Sequence, residues 1–219
     1  NRCHLRSNQI GDDYMKKRIL AILTATLALQ PLAWGQVALR DAFANAPDNL
    51  FPLLTRNNRL DCIDLAEGHA DMDVTNRAGD KTRIDSIAPN YLSLRLTPKS
   101  RIELLMMSAK DDAPQRICMI HTYEGPAKDS HVTLYDTDWK LLGSVERPAP
   151  EAFFDQELKR EARGILTDLQ LMWAAFSPNG TSLIWNISTT ELNNKERQEA
   201  TPHLHPVTLP IALPQPKKQ

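Results

Sequence analysis

Tyr91-Leu92-Ser93-Leu94-Arg95-Leu96 alternates apolar and polar side chains. Successive side chains of a strand point to opposite faces, so Leu92, Leu94 and Leu96 share one face, with Ser93, Arg95 and Thr97 on the other. Pro98-Lys99-Ser100 turns the chain into Arg101–Ser108, and Asp111-Asp112-Ala113-Pro114 turns it again into Arg116–Tyr123. Within that last segment Ile117-Cys118-Met119-Ile120 is apolar on both faces, as befits a central strand covered on both sides. His131–Tyr135 follows Gly125-Pro126, and Asp136-Thr137-Asp138 leads into Trp139–Ser144. On the N-terminal side, Asn76–Asp80 is a turn between an alternating stretch that starts at Asp71 and a return strand over Lys81–Ile87. Short strands joined by tight turns make an antiparallel meander.

Two helices precede it. Val37–Asn45 is built from helix formers, with Leu39 and Phe43 on one face, and Pro47 stops it. A second helix starts near Thr55 or Asn57-Asn58, buries Leu60, Cys62 and Ile63, and ends at Gly68. Its acids Asp61, Asp64 and Glu67 form a solvated stripe. These helices have to pack on one face of the meander, which defines an α+β fold.

Arg147-Pro148-Ala149-Pro150 reads as a linker to a sub-lobe over 151–190. Phe154–Gly164 is read as a short helix with Leu158, Ala162 and Ile165 inward. Asp168–Phe176 could continue it, but is read as a strand because Ser177-Pro178-Asn179-Gly180-Thr181 suits a hairpin loop. In the expected register Ser177 faces Thr181, Ala175 faces Leu183 and Trp173 faces Trp185, which collects Leu169, Leu171, Trp173, Ala175, Leu183, Trp185 and Ile187 of this C-terminal β-hairpin on one face. From Glu191 to Gln219 the chain is charged and then Pro-rich, so a tail is expected there, with Val207–Leu213 docked as an edge.

Met15-Lys16-Lys17-Arg18 opens onto the apolar run Ile19–Leu29, followed by Gln30-Pro31-Leu32-Ala33-Trp34-Gly35. A positive start, a short apolar run and small residues at Ala33 and Gly35 define a signal peptide over 15–35, cleaved near Gly35-Gln36. Residues 1–14 fit an over-extended gene start ahead of Met15. The run is shorter than the roughly 20 residues of a membrane span, and no Cys follows for lipidation. A periplasmic or secreted protein is expected, its domain running over 36–190. Of 26 basic and 27 acidic residues, five basic and two acidic precede Gln36, which leaves the rest at about -4. Without a basic face, nucleic acid is excluded as a partner.

Cys62 and Cys118 remain after processing. In an oxidising compartment they could close a disulfide worth roughly 4 kcal/mol by loop entropy. Two buried thiols are the alternative. His203-x-His205 has metal-ligand spacing on a strand but no third ligand, and Asp71-x-Asp73-x-Thr75 lacks the Gly and Glu of a calcium loop. No cofactor is expected. No nucleophile elbow, zinc-protease helix or phosphate loop is present, which argues against an enzyme. Tyr91, Tyr123, Tyr135 and Trp139 could form a ligand platform or an aromatic core. Asp85-Ser86-Ile87 matches a short pattern for O-glycosylation at Ser86.

Leu53–Asp64, Val74–Gly79, Tyr135–Lys140 and Ser177-Pro178-Asn179 together resemble an uncharacterised family of small exported proteins from Bacteroidales, over roughly Val37–Ile187. The resemblance implies a signal peptide, a domain of unknown function and a Gram-negative envelope setting, and no catalytic or binding residues. The expected function is therefore a non-catalytic binding module for an envelope protein or glycan. The alternative is a hydrolase or metal-dependent enzyme assembled from Asp61, Asp64, His69 and His121.

Overall fold

The computed structural model describes residues 37–108 and 114–213. The signal peptide over 15–35 and the segment 1–14 lie outside the described residues, as does the end of the tail. Leu39–Ala44 (α1) and Arg56–Glu67 (α2) come first. Thr55 caps α2 reciprocally with Asn58: the Asn58 amide donates to Thr55 Oγ1 at 3.0 Å, and the Thr55 amide to Asn58 Oδ1 at 3.1 Å. Gly68 is the C-cap as expected, but the left-handed residue beyond it is His69, at φ 52°. The Ala70 amide bonds the Leu65 carbonyl and the His69 amide the Ala66 carbonyl, which closes the helix as a Schellman turn.

Seven antiparallel strands follow in meander order: Val74–Thr75 (β1), Lys81–Ala88 (β2), Tyr91–Thr97 (β3), Ser100–Met107 (β4), Arg116–Glu124 (β5), Lys128–Asp136 (β6) and Leu141–Ser144 (β7). The expected alternation from Asp71 shrinks to the two residues of β1. Asn76 builds the next turn. Its side chain is buried, donates to Thr82 Oγ1 and the Leu96 carbonyl at 3.1 Å, and accepts from the Ala78 and Asp80 amides. Trp139 belongs to the turn before β7, at φ 63°, and its indole N–H donates to the Ala42 carbonyl at 2.9 Å. That bond, with the edge-on rings of Phe43, Phe51 and Trp139, fastens α1 to the sheet. Trp139 and Tyr135 are therefore core residues.

Leu92, Leu94, Leu96, Ile102, Leu104, Ile117 and Met119 meet α1 and α2 on one face of this sheet. The other face carries Leu105, Cys118, Ile120, Val132 and Leu134 beneath a second layer. That layer holds Arg160–Leu169 (α3), Met172–Phe176 (β8), Ser182–Ile187 (β9), Asn194–Ala200 (α4) and Val207–Pro210 (β10), with short 3-10 turns at Pro150–Phe153 and Thr201–His203. The sequence reading of β5 as doubly covered holds.

Several expectations for the C-terminal third change. Arg147–Pro150 is not a free linker, because Arg147 bonds both Asp129 oxygens at 2.9 Å and Pro150 is buried. The helix expected over Phe154–Gly164 lies later, since Phe154 is extended and bridges to Leu204. Asp168 and Leu169 end α3, and the strand starts only at Met172. The tail does not begin at Glu191. Asn193 and Glu196 form a capping box that starts α4, Leu192 and Ala200 complete the second core, and β10 pairs along β9 as the docked edge.

The hairpin register is one residue off the expected one. Phe176 faces Leu183, Ala174 faces Trp185 and Trp173 faces Asn186. The loop is Pro178–Thr181, closed by the Ser177 amide on the Ser182 carbonyl at 2.9 Å. Asn179 Oδ1 organises it by accepting from Ser177 and Thr181. Trp173 and Trp185 consequently lie on opposite faces, and Met172, Ala174, Leu183 and Trp185 are the buried set.

Cys62 and Cys118 are both free and buried. Cys62 belongs to the core under the helices and Cys118 to the core on the other face, so the sheet stands between them, and of the two alternatives the structure has two buried thiols. Burial pushes both thiols up to about 12, in Cys62 with added repulsion from Asp61 and Asp73, so neither is a nucleophile near neutral pH.

Candidate functional site

The register of β1 on β2 stops at Val74–Thr82. Beyond it the outer edge of β2, from Arg83 to Ala88, has no strand partner among the described residues. A bulge between Ile84 and Ser86 places Asp85 as the extra residue. Bulges and charges at an edge deter indiscriminate pairing while leaving backbone donors and acceptors open to a chosen partner.

A cavity of about 460 Å³ lies against this edge, between β2, the end of α2 and the 69–73 connection. Cys62, Leu65, Ala66, Val74, Ile84 and Ile87 supply apolar wall, and His69, Asp71, Arg83 and Asp85 supply polar rim. Met72, 62% exposed, stands at its mouth. A flexible thioether in that position adapts to differing apolar partners. The rim is held by ion pairs: Arg83 reaches Asp71 at 2.6 Å and Asp85 at 3.0 Å, and Asp85 also meets Arg95 at 3.1 Å and Arg101 at 3.3 Å. Asp85 thereby gathers three arginines onto the sheet face away from the helices.

Of the residues singled out in the sequence, Ser86 is exposed on this edge and His69 lines the cavity. Asp61 and Asp64 lie exposed on α2, and His121 lies on β5 beside Tyr123, with ring centroids 4.4 Å apart. The four residues of the enzyme alternative form no potential metal cluster among the described residues. The group that does come together is Asp155, Glu157 and His203, with His203 Nδ1 3.1 Å from Asp155 and 3.9 Å from Glu157. His205 is not in it. In this largely exposed set the imidazole–carboxylate hydrogen bond ties the chain just after the Pro150–Phe153 turn to the Thr201–His203 turn. Asp71 and Asp73 lie in the connection before β1, with Asp71 taken by Arg83.

His121 matters for stability. Its Nε2 is buried without a hydrogen-bond partner, and His131 faces it directly across β5 and β6. Burial, and then the proximity of His131, hold it below the usual histidine range. A lowered folded-state value means the stability is fully present above the unfolded value, about 6.5, and is lost as pH falls through it toward the folded value. Denaturant titrations at pH 7.5 and 5.5 should show a smaller acid loss in His121→Phe than in the parent. An equal loss would place the sensitivity elsewhere.

The strongest signals for this site were weak in the sequence. The bulge and the bare edge follow from where β1 stops, which alternation alone did not show.

No curated protein is significantly similar to this chain. Among solved structures, a domain of an uncharacterized protein from Porphyromonas gingivalis W83 is similar at a TM-score of 0.62 and 20% identity, covering 78% of this chain and 93% of that one. At that identity the likeness concerns the fold. No described helix is long and apolar enough to cross a membrane. A family model described as a protein of unknown function, DUF3256, matches residues 35–210, and the chain belongs to that family.

Proposed function

We propose that this domain is a binding module that captures an extended segment of a partner protein by strand addition to β2. The observation that carries this reading is the unpaired edge Arg83–Ala88 running beside an apolar-walled cavity with a charged rim. Strand addition draws affinity from main-chain hydrogen bonds and specificity from pockets that take alternate side chains. The cavity volume falls within the range of roughly 300–1,000 Å³ typical of ligand pockets. Export by Met15–Gly35 belongs to the proposal and places the partner in the envelope; N-terminal sequencing of the processed protein should then begin at Gln36. The Asp85-Ser86-Ile87 match lies on the same edge, so an O-glycan on Ser86 would cover the site. An intact mass equal to the bare polypeptide excludes that modification.

Random peptides displayed on phage and selected on this protein provide the test. Selected peptides should carry apolar residues at alternate positions and slow amide exchange over Arg83–Ala88. Met72→Glu, at an exposed position, should weaken them at least ten-fold without altering the fold. Peptides that protect other elements, or that ignore Met72→Glu, would overturn the reading.

A further inference from the structure

On the sheet face away from α1 and α2, the second layer covers β5, β6 and Leu105 of β4, and leaves Arg95 exposed and Arg101 and Glu103 half-exposed beside the hairpin. Two adjoining cavities of about 310 and 240 Å³ lie along that boundary, and Glu103 and Ala175 border both. The first contains Tyr91 and Phe176, whose rings meet edge-on at 6.2 Å. The second contains Trp173, with the Lys128 ammonium 5.4 Å from its ring centroid.

Glu103 stands at the junction. Its carboxylate accepts the Tyr91 hydroxyl at 2.6 Å and forms no ion pair among the described residues. Glu124 on the next strand is held by Arg101 at 3.3 Å and by Lys128 at 4.0 Å. Arg101 also donates to Ser93 Oγ at 3.2 Å and meets Asp85 at 3.3 Å, so its guanidinium is held in place at the border of this surface.

The lining thus mixes half-exposed aromatic rings with carboxylates, a guanidinium and an ammonium. A cationic ligand meets Arg101 and Lys128, and an anionic ligand meets Glu103 and Glu124, so neither gains a net attraction. A neutral group that donates and accepts at once can use both kinds of partner. Sugar hydroxyls do so, and the apolar faces of sugar rings suit flat aromatic side chains such as Trp173 and Tyr91. We infer that the cleft between β3–β4 and the β8–β9 hairpin binds a short neutral oligosaccharide, with Glu103 as the central acceptor and Trp173 and Tyr91 as ring platforms. This site is separate from the β2 edge and does not depend on the peptide reading.

The test titrates the full chain with neutral tetrasaccharides built on glucose, N-acetylglucosamine, mannose or xylose, and with uronic-acid tetrasaccharides. Binding is followed by calorimetry and tryptophan fluorescence. At least one neutral tetrasaccharide should bind, with Glu103→Gln and Trp173→Ala each weakening it ten-fold or more while both variants stay fully folded at the titration temperature by circular dichroism. Met72→Glu, at the β2 edge, should leave it unchanged. Tyr91→Phe gives a second probe of Glu103, because it removes the hydroxyl that Glu103 now holds and should alter affinity without loss of fold. The inference fails if no neutral tetrasaccharide binds, if only the uronic-acid chains bind, or if Glu103→Gln and Trp173→Ala both bind as the parent does.

Discussion

Replacing Arg59 by Met should cost about 3–5 kcal/mol of folding stability, measured by denaturant unfolding. Arg59 is 1% exposed, on the face of α2 that also buries Cys62 and Ile63. Its guanidinium donates to the carbonyls of Ala46 at 2.6 Å, Leu54 at 2.9 Å and Ala44 at 3.4 Å, and to Asp48 at 3.1 Å. Those carbonyls belong to the end of α1 and to the connector after it. One side chain thus satisfies three buried acceptors and sets the path between the two helices, with the Phe51 ring 6.0 Å from its Cζ. Methionine fills a similar volume but leaves the acceptors unpaired. Arg59→Lys should recover only part of the loss, because a compact ammonium cannot reach three carbonyls in a fork. Asp48→Ala should cost about 1 kcal/mol or less, since Asp48 is half exposed and shared with Arg77. If Asp48→Ala proved as damaging as Arg59→Met, the ion pair and not the carbonyl set would be the stabilising element.

Trp185→Ala should be similarly severe, at about 3–5 kcal/mol, whereas Trp173→Ala should cost under about 1 kcal/mol. Trp185 is fully buried in the second core, and its indole N–H has no hydrogen-bond partner. A cavity of that size between β9 and the central strands cannot collapse without moving both sheets. Trp185→Phe should cost roughly 1–2 kcal/mol, because part of the lost volume is offset by removing an unpaired donor. Trp173 lies on the opposite face of the hairpin beside Lys128 and contributes little to the core. Equal costs for the two alanine variants would restore the register in which they face each other.

The register error has a physical source. Met172-Trp173-Ala174-Ala175-Phe176 is apolar on both faces, so alternation could not say which face is buried. The expected set leaned on Leu169 and Leu171, but Leu169 ends α3 and is 49% exposed. The loop decides the slip, since Asn179 wraps a four-residue turn where three residues were expected. Loop and strand then find their partner in the main sheet. Met172 and Ala174 donate their outward amides to Asp129 at 3.3 Å and to Ser130 at 3.1 Å on β6, which closes the edge of β8.

Local pattern alone determined the two leading helices with their Thr55 and Gly68 ends, the antiparallel order of the main strands, and the double burial of Ile117–Ile120. Each rests on neighbours within a few residues, where caps, turns and side-chain periodicity act. The capping box at Asn193 and Glu196 was equally legible and marks where the expected tail folds back. Only tertiary structure decided that Arg59 is interior, that the sheet separates Cys62 from Cys118, and that Asp61, Asp64, His69 and His121 do not assemble. It also decided the two proposed sites. The bare edge of β2 exists because β1 ends after two residues, and the proposed sugar cleft exists because the second layer reaches the outer strands at Tyr91 and Leu105 but leaves Arg101 and Glu103 half-exposed. Such features depend on which distant backbone arrives to cover a face or satisfy a carbonyl, and no local periodicity encodes that.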